Sequence, residues 1–342
     1  KSANTTASQN TAVGYASLNA NTTGANNTAM GCGALVLNNT GTDNTAIGSL
    51  SLDANTTGNY NTAVGHLSLT ANTTANDNTA IGRSSMCKNT TGTNNTAVGR
   101  LSLFNNTTGV RNTAVGTGSL CDITTTQDNV GIGYDAARDS TANYTTAVGS
   151  EAVFKTTGDG NTGVGYRSLF LNTSGTHNSA LGYQSMCKNT TGSNNTAIGC
   201  RALFENTTGG SNVAVGDNAL QSNVDTTQNT GVGANALYTN TGNKNSAFGS
   251  AALYSNTTAD GNTAVGVCSL RSTTTGSNNT AIGLCSLRSN TTGVQNTAIG
   301  LRPLISNTTG DNNTAIGIDA LTSATTASNN TSVGTCSLRL NP

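Results

Sequence analysis

Apolar and polar residues recur along the chain with a period of 17. Each repeat is anchored on a five-residue word that ends in Gly, such as Asn44-Thr45-Ala46-Ile47-Gly48. We count the second residue of the word, here Thr45, as position 1 of the repeat, which puts the anchor Gly at position 4. The anchor falls at Gly14, Gly31, Gly48, Gly65, Gly82, Gly99, Gly116, Gly133, Gly149, Gly165, Gly182, Gly199, Gly216, Gly233, Gly249, Gly266, Gly283, Gly300, Gly317 and Gly334. Three of the spacings between anchor glycines are 16 residues instead of 17. The missing residue falls in each case between two anchor words, which predicts a turn in that segment.

Two columns of the aligned repeats are apolar. Position 3 is Val, Ile, Met, Leu or Phe in every repeat, and position 8 is Leu, Met or Val in every repeat except at Ala137. A period of 17 is too short for paired-helix repeats and does not fit heptads, whereas branched residues with Gly and Asn at fixed places favour short strands and turns. The pattern therefore predicts an all-β fold, a parallel β-solenoid (β-roll) of about 20 coils of 16–17 residues, continuous over residues 1–342 as a single domain. At ~4.8 Å per coil the stack would be roughly 95 Å long.

Position 2 is restricted to Ala, Gly or Ser. Alternate strand residues face opposite sides, so if positions 1 and 3 point into the coil, position 2 points outward. Two explanations are open for such small outward residues: a tight bend within the coil, or a second chain packed against it. The thin core favours the second, which predicts a homo-oligomer with contacts at Ala12, Ala29, Ala46, Ala63, Ala80 and Ala97.

The composition argues against nucleic acid and membranes as partners. Charged residues make up 9% of the chain, and 15 basic residues balance 15 acidic ones. No basic stripe follows the chain, so no nucleic-acid partner is expected. No stretch approaches the ~20 apolar residues of a membrane helix, so we expect no membrane insertion of this segment.

The repeat words resemble a known family of surface proteins. Asn129-Val130-Gly131-Ile132-Gly133 and Asn212-Val213-Ala214-Val215-Gly216 are similar to the head repeats of YadA-like trimeric autotransporter adhesins. The wider pattern of Asn279-Thr280-Ala281-Ile282-Gly283, Ser286-Leu287 and Asn290-Thr291-Thr292-Gly293 is similar to phage-tail-fibre-like repeats. The resemblance implies left-handed coils, a homotrimer and an extracellular, cell-surface or virion-surface location. The longer repeat and the frequent Thr at position 1 depart from the autotransporter pattern.

Candidate catalytic chemistry is sparse. Gly131 to Ala136 fits a loose GxGxxA phosphate loop, but the strand register leaves no helix to follow it. The two histidines, His66 and His177, fall in unrelated columns. We therefore expect no enzyme, no catalytic or metal site and no cofactor.

Two side-chain types suggest covalent modification. Cys268 and Cys285 share one column in successive repeats and form a candidate disulfide, against the alternative of free thiols acting as small side chains. The recurring turn Asn-Thr-Thr-Gly contains an N-glycosylation sequon, against the alternative of a stacked Asn ladder. The candidate glycosylation sites are Asn21, Asn38, Asn55, Asn72, Asn89, Asn106, Asn172, Asn189, Asn206, Asn256, Asn290 and Asn307.

These observations predict a structural fibre or stalk that assembles with itself. The resemblance implies a trimer, and end-to-end stacking is expected because neither end of the sequence reads as a cap. An alternative is an adhesin or tail-fibre segment that binds a cell-surface glycan or receptor through the variable position 5. That column includes Tyr15, Arg83, Arg100, Tyr134, Tyr166 and Tyr183. Ice binding by Thr rows is a lesser alternative, because Thr22 and Thr23 are adjacent and point opposite ways.

Overall fold

The protein is all-β and built from stacked coils. The computed structural model describes residues 6–340, within two compact units, Lys1–Arg167 and Ser168–Pro342. Each unit is a parallel β-solenoid with coils of 16 or 17 residues, and none of the described residues is helical. The predicted fold class is confirmed, whereas handedness stays a prediction. The expected absence of caps rests partly on residues 1–5 and 341–342, which lie outside the described residues.

Every coil contributes one three-residue strand at positions 1 to 3. In the first unit these are β1 Thr11–Val13, β2 Thr28–Met30, β3 Thr45–Ile47, β4 Thr62–Val64, β5 Thr79–Ile81, β6 Thr96–Val98, β7 Thr113–Val115, β8 Val130–Ile132, β10 Thr146–Val148 and β12 Thr162–Val164. In the second unit they are β13 Ser179–Leu181, β14 Thr196–Ile198, β15 Val213–Val215, β16 Thr230–Val232, β17 Ser246–Phe248, β18 Thr263–Val265, β19 Thr280–Ile282, β20 Thr297–Ile299, β21 Thr314–Ile316 and β22 Thr331–Val333.

Equivalent residues pair between neighbouring coils. Ala29 of β2, for example, is in register with Ala46 of β3. Backbone hydrogen bonds continue around the coil beyond the strands: the Leu35 amide donates to the Ser51 carbonyl over 3.1 Å, and the Thr22 amide donates to the Asn39 carbonyl over 2.9 Å. Within each unit, a strand contacts only the strands of adjacent coils.

The shortened coils lose a residue where the sequence predicts a turn. Asn240-Thr241-Gly242 stands where other coils have Asn-Thr-Thr-Gly. In the two other short coils this part of the chain pairs as the extra strands β9, Asp139–Ser140, and β11, Lys155–Thr156. The deletions are thus confined to the segment between the anchor words, as predicted, but in two of the three short coils part of that segment pairs as a strand.

The predicted orientation of the strands is wrong. Ala29, Ala46, Ala63, Ala80 and Ala97 are fully buried inside the coils, and the position-3 side chains point outward. Ala12 is exposed only because β1 lies in the terminal coil described. The predicted oligomer contacts at position 2 are therefore wrong for this column.

The interior is too narrow for branched residues at position 2. A Cβ atom built on Gly131 would lie 2.6 Å from Ser119 Oγ and 2.9 Å from Leu120 Cγ. Smallness does indicate a close neighbour, as the sequence predicts, but that neighbour is the interior of the same solenoid: Ser119 and Leu120 are positions 7 and 8 of the preceding coil. The inward prediction for position 8 is confirmed, since Leu35, Leu52 and their equivalents are fully buried.

Asparagine amides fill the rest of the core. At position 11, Asn55 Nδ2 donates to Asn38 Oδ1 over 2.8 Å and to the Gly58 carbonyl over 3.0 Å. At position 17, Asn61 Nδ2 donates to the Ala75 carbonyl over 2.8 Å, while the Asn61 backbone amide donates to Asn44 Oδ1. Burial of these polar groups is tolerated where they are hydrogen-bonded between coils.

Candidate functional site

The predicted glycosylation sites lie inside the coils. Asn21 is 2% exposed and the other eleven sequon asparagines of position 11 are fully buried. Their side-chain nitrogens, to which a glycan would be attached, donate to the local turn carbonyl and in most coils also to the preceding Asn, as Asn38 does to Gly41 and Asn21. The folded coil leaves no room for a sugar there, so this prediction is wrong and the alternative of an Asn ladder is correct.

A second set of sequons faces outward and was missed by the sequence reasoning. These sequons are Asn-Asn-Thr, with the first Asn at position 16, and the exposed residues are Asn26, Asn94, Asn194, Asn278, Asn312 and Asn329. Their backbone φ angles lie near +60°, a conformation that Asn adopts more readily than most residues. The sequence signal for these sites is an Asn at position 16 that is followed two residues later by the Thr of position 1.

The outer face of the sheet carries two rows of side chains. Position 1 is Thr in most coils and is half-buried, and position 3 presents Val, Ile, Met, Leu or Phe. Ile47, Leu181 and Ile282 are 37%, 49% and 39% exposed. Each unit therefore has a continuous apolar row, one side chain per coil, that nothing within the described chain covers. We call it the position-3 row.

The variable position 5 faces solvent, as the sequence predicts. Tyr15 is 82% exposed and Tyr134 is 55% exposed. Tyr166 and Tyr183 are exposed to a lesser degree, and the side chains of Arg83 and Arg100 are also exposed. The column is accessible to a ligand, but its members share no chemistry.

Charged and aromatic residues meet along the edge formed by positions 6, 9 and 10. Lys188 Nζ lies 2.7 Å from a carboxylate oxygen of Glu205 in the next coil and 5.1 Å from the ring centroid of Phe204. Arg302 and Asp319 pair between coils at 2.9 Å. Arg138 pairs within its own turn with Asp135 at 3.2 Å. Most charges of this edge are thus neutralised by a partner one coil away or within the same turn.

The cysteines form no disulfide among the described residues. Cys268 and Cys285 do occupy the same column, but both are free thiols. Parallel side chains of one column keep their Cβ atoms near the ~4.8 Å coil spacing, beyond the 3.5–4.5 Å that a disulfide needs. The alternative of free thiols is therefore correct. Cys121 is buried, and burial, with the nearby Asp122 carboxylate, raises the pKa of its thiol to about 12.

The remaining candidates are scattered. His66 and His177 are both exposed, and the GxGxxA segment from Gly131 to Ala136 runs from β8 into a turn. Between residues 6 and 340 no group of three His, Cys, Asp or Glu side chains is arranged to hold a metal ion. Over the same residues no helix is long and apolar enough to span a membrane.

Comparison with known proteins gives no family assignment. No known family matches the chain, and no curated protein matches it either.

Proposed function

We propose that this chain is a structural segment of an extracellular, cell-surface or virion-surface fibre, and that it associates with copies of itself through the position-3 row. The single observation that supports this is an apolar row repeated in every coil and left open to solvent. Extended apolar patches on soluble proteins are typical of interaction sites. Three chains are the number that the resemblance to trimeric adhesin repeats implies.

A second copy of the chain fits the row because its coils have the same spacing. Side chains of two such rows therefore stay in register coil after coil, as they would not with a partner of another period. The row is also free of charge in every described coil, so no ion must be desolvated when two rows meet.

Sedimentation of paired variants tests the proposal. Ile47→Lys with Val64→Lys puts two charges on the row, and we expect the oligomer to dissociate to single chains. The matched control is Leu50→Lys with Leu67→Lys in the same two coils, where Leu50 has the same 37% exposure as Ile47. Arg occupies this control position natively at Arg167, so the fold accepts a long cation there.

A wild-type chain that sediments as a monomer would contradict self-association. Equal dissociation in both variants would show that the position-3 row is not the interface.

Ice binding is a second candidate function. The row concerned is the Thr of position 1 on the strands, not the turn threonines such as Thr22 and Thr23. Thr at position 1 and an aliphatic residue at position 3 alternate outward on the sheet, so hydroxyl and methyl groups form a regular array. Thermal hysteresis of the wild type that disappears in a Thr45→Lys, Thr62→Lys variant would support it. Absence of hysteresis in the wild type would remove it.

A further inference from the structure

Four consecutive coils of the second unit carry planar polar side chains at position 9. They are Tyr238, Tyr254, Arg271 and Arg288. The two tyrosine rings are stacked, with centroids 5.1 Å apart and planes 3° from parallel. The Arg271 guanidinium carbon lies 5.5 Å from the Tyr254 ring centroid. We call these four residues the Tyr-Arg row.

The backbone beneath the row is fixed by inter-coil hydrogen bonds. The Thr239 amide donates to the Tyr254 carbonyl over 3.2 Å. The Ser255 and Ser272 amides donate to the Arg271 and Arg288 carbonyls over 3.0 Å each. A ligand that contacts the row would therefore meet side chains carried on a backbone of fixed spacing, which lowers the entropic cost of ordering that backbone on binding.

The charge of the row is not neutralised. Arg271 and Arg288 stand in register in adjacent coils, and neither forms an ion pair within residues 6–340. Like charges in register between neighbouring strands are destabilising. The contrast with Lys188–Glu205 and Arg302–Asp319 on the same edge indicates that an anion from outside the chain would complete this site.

The stack determines which atoms a ligand would meet. Because the tyrosine rings stack face to face between coils, their edges are more open to a ligand than their faces, and the Arg271 guanidinium lies over the Tyr254 ring at the end of this stack. Position 10 adds the hydroxyls of Ser255, Ser272 and Ser289 alongside, whereas the Thr239 hydroxyl already donates to the Tyr254 carbonyl over 3.0 Å. Two cationic forks beside several hydroxyls match a carboxylate flanked by sugar hydroxyls.

We propose that the Tyr-Arg row binds an acidic polysaccharide. Its carboxylates are held by Arg271 and Arg288, and its hydroxyls by the two tyrosines and the position-10 hydroxyls. Nucleic acid fits less well, because it needs a longer basic stripe than two adjacent arginines in a chain of zero net charge. The site lies on the edge of the coils, not on the position-3 row, so it can fail or succeed independently of the proposed fibre function.

Titration calorimetry at low ionic strength tests the proposal, with polygalacturonate oligomers as the probe and neutral dextran as the reference. We expect the wild type to bind polygalacturonate and not dextran. Arg271→Gln with Arg288→Gln removes the charge-assisted bonds and should weaken binding by about tenfold or more. Tyr238→Phe with Tyr254→Phe keeps the ring stack but removes the hydroxyls, and a smaller loss, about threefold, is expected.

The matched control is Arg83→Gln with Arg100→Gln, another pair of arginines in register in adjacent coils, which has no stacked tyrosines in its column. It should change binding by less than about twofold. Equal loss in this control, equal binding of dextran, or equally tight binding of a single-stranded oligothymidylate would each overturn the proposal. Circular dichroism of each variant confirms that the fold is retained.

Discussion

The asparagine of position 11 is the residue on which the core of a coil depends. Its amide donates to the preceding coil and accepts from the following one, as Asn189 does with Asn172 at 2.6 Å and Asn206 at 2.7 Å. In 17-residue coils the row is interrupted at Ile123, Thr273 and Ala324. One coil earlier the side-chain oxygens of Asn106, Asn256 and Asn307 are then buried without a hydrogen-bond partner. The interruptions therefore cost stability.

Restoring the row should stabilise the protein. In Thr273→Asn the new amide can donate to Asn256 Oδ1 and accept from Asn290, which removes the unpaired oxygens of Thr273 and Asn256. We expect the free energy of unfolding in urea to rise by about 1–2 kcal/mol. The reverse change, Asn189→Thr in an intact part of the row, should lower it by about 1–3 kcal/mol. Shifts of the same sign in both variants would contradict this role of the row.

The buried thiol of Cys121 should resist alkylation. Only the thiolate is nucleophilic, and a pKa of about 12 leaves almost none at pH 8. Peptide mapping after iodoacetamide treatment should find the exposed Cys32 modified and Cys121 intact, with Cys121 reacting only as the pH approaches 12 or after denaturation. Equal labelling of the two residues in the folded protein would be inconsistent with this burial.

At the scale of the element, the sequence predicts the coil but not its inner face. The 17-residue period, the strand at positions 1 to 3, the turn that absorbs deletions and the inward Leu of position 8 all follow from it. The sequence does not predict which strand residues face the interior, because the uniformly apolar residues of position 3 suggest that this position is buried. In this narrow coil Ala at position 2 and Asn at positions 11 and 17 fill the interior instead. A column that is restricted to very small residues is the better indicator of the inside.

The same reasoning explains what the sequence shows of the candidate surfaces. Position 5 was correctly placed on the outside because its residues share no chemistry. The sequence leaves the Asn of position 11 open between a glycosylation site and a stacked Asn ladder, and the burial of these residues decides for the ladder. The Tyr-Arg row likewise emerges only when residues 17 or 16 apart are seen to stack.

The anchor Gly of position 4 is required by the close approach of successive coils. Gly216 has a φ of +136°, and a Cβ atom there would lie 2.7 Å from the carbonyl carbon and oxygen of Gly233. Gly216→Ala should therefore destabilise the protein by about 3 kcal/mol or more, measured by urea denaturation. Gly210→Ala is the control, because a Cβ atom there comes no closer than 3.2 Å to another atom and Ala25 occupies the equivalent position. Similar losses for both variants would exclude coil spacing as the cause.

At the scale of the whole molecule, the repeat separates a constant scaffold from variable surfaces. Buried Ala, Leu and Asn are nearly the same in every coil, whereas positions 5, 6, 9 and 10 change from coil to coil. Because strands contact only the strands of adjacent coils, a substitution on one edge changes the contacts of its own coil and its two neighbours and of no other coil. Such a chain can change its ligand contacts without altering its fold.

Removal of one complete coil tests this independence directly. Excision of Thr196–Asn212, which contains β14, joins Asn195 to Val213 and brings Ser179 of β13 into register with Val213 of β15. Every interior column is then continuous, so we expect a folded protein whose thermal unfolding remains a single transition with a slightly smaller enthalpy. Excision of residues 196–203 is the control, since half a coil places outward residues in the interior and should unfold the neighbouring coils. If the 17-residue excision is as damaging as the 8-residue one, stability does not arise from nearest-neighbour coil contacts.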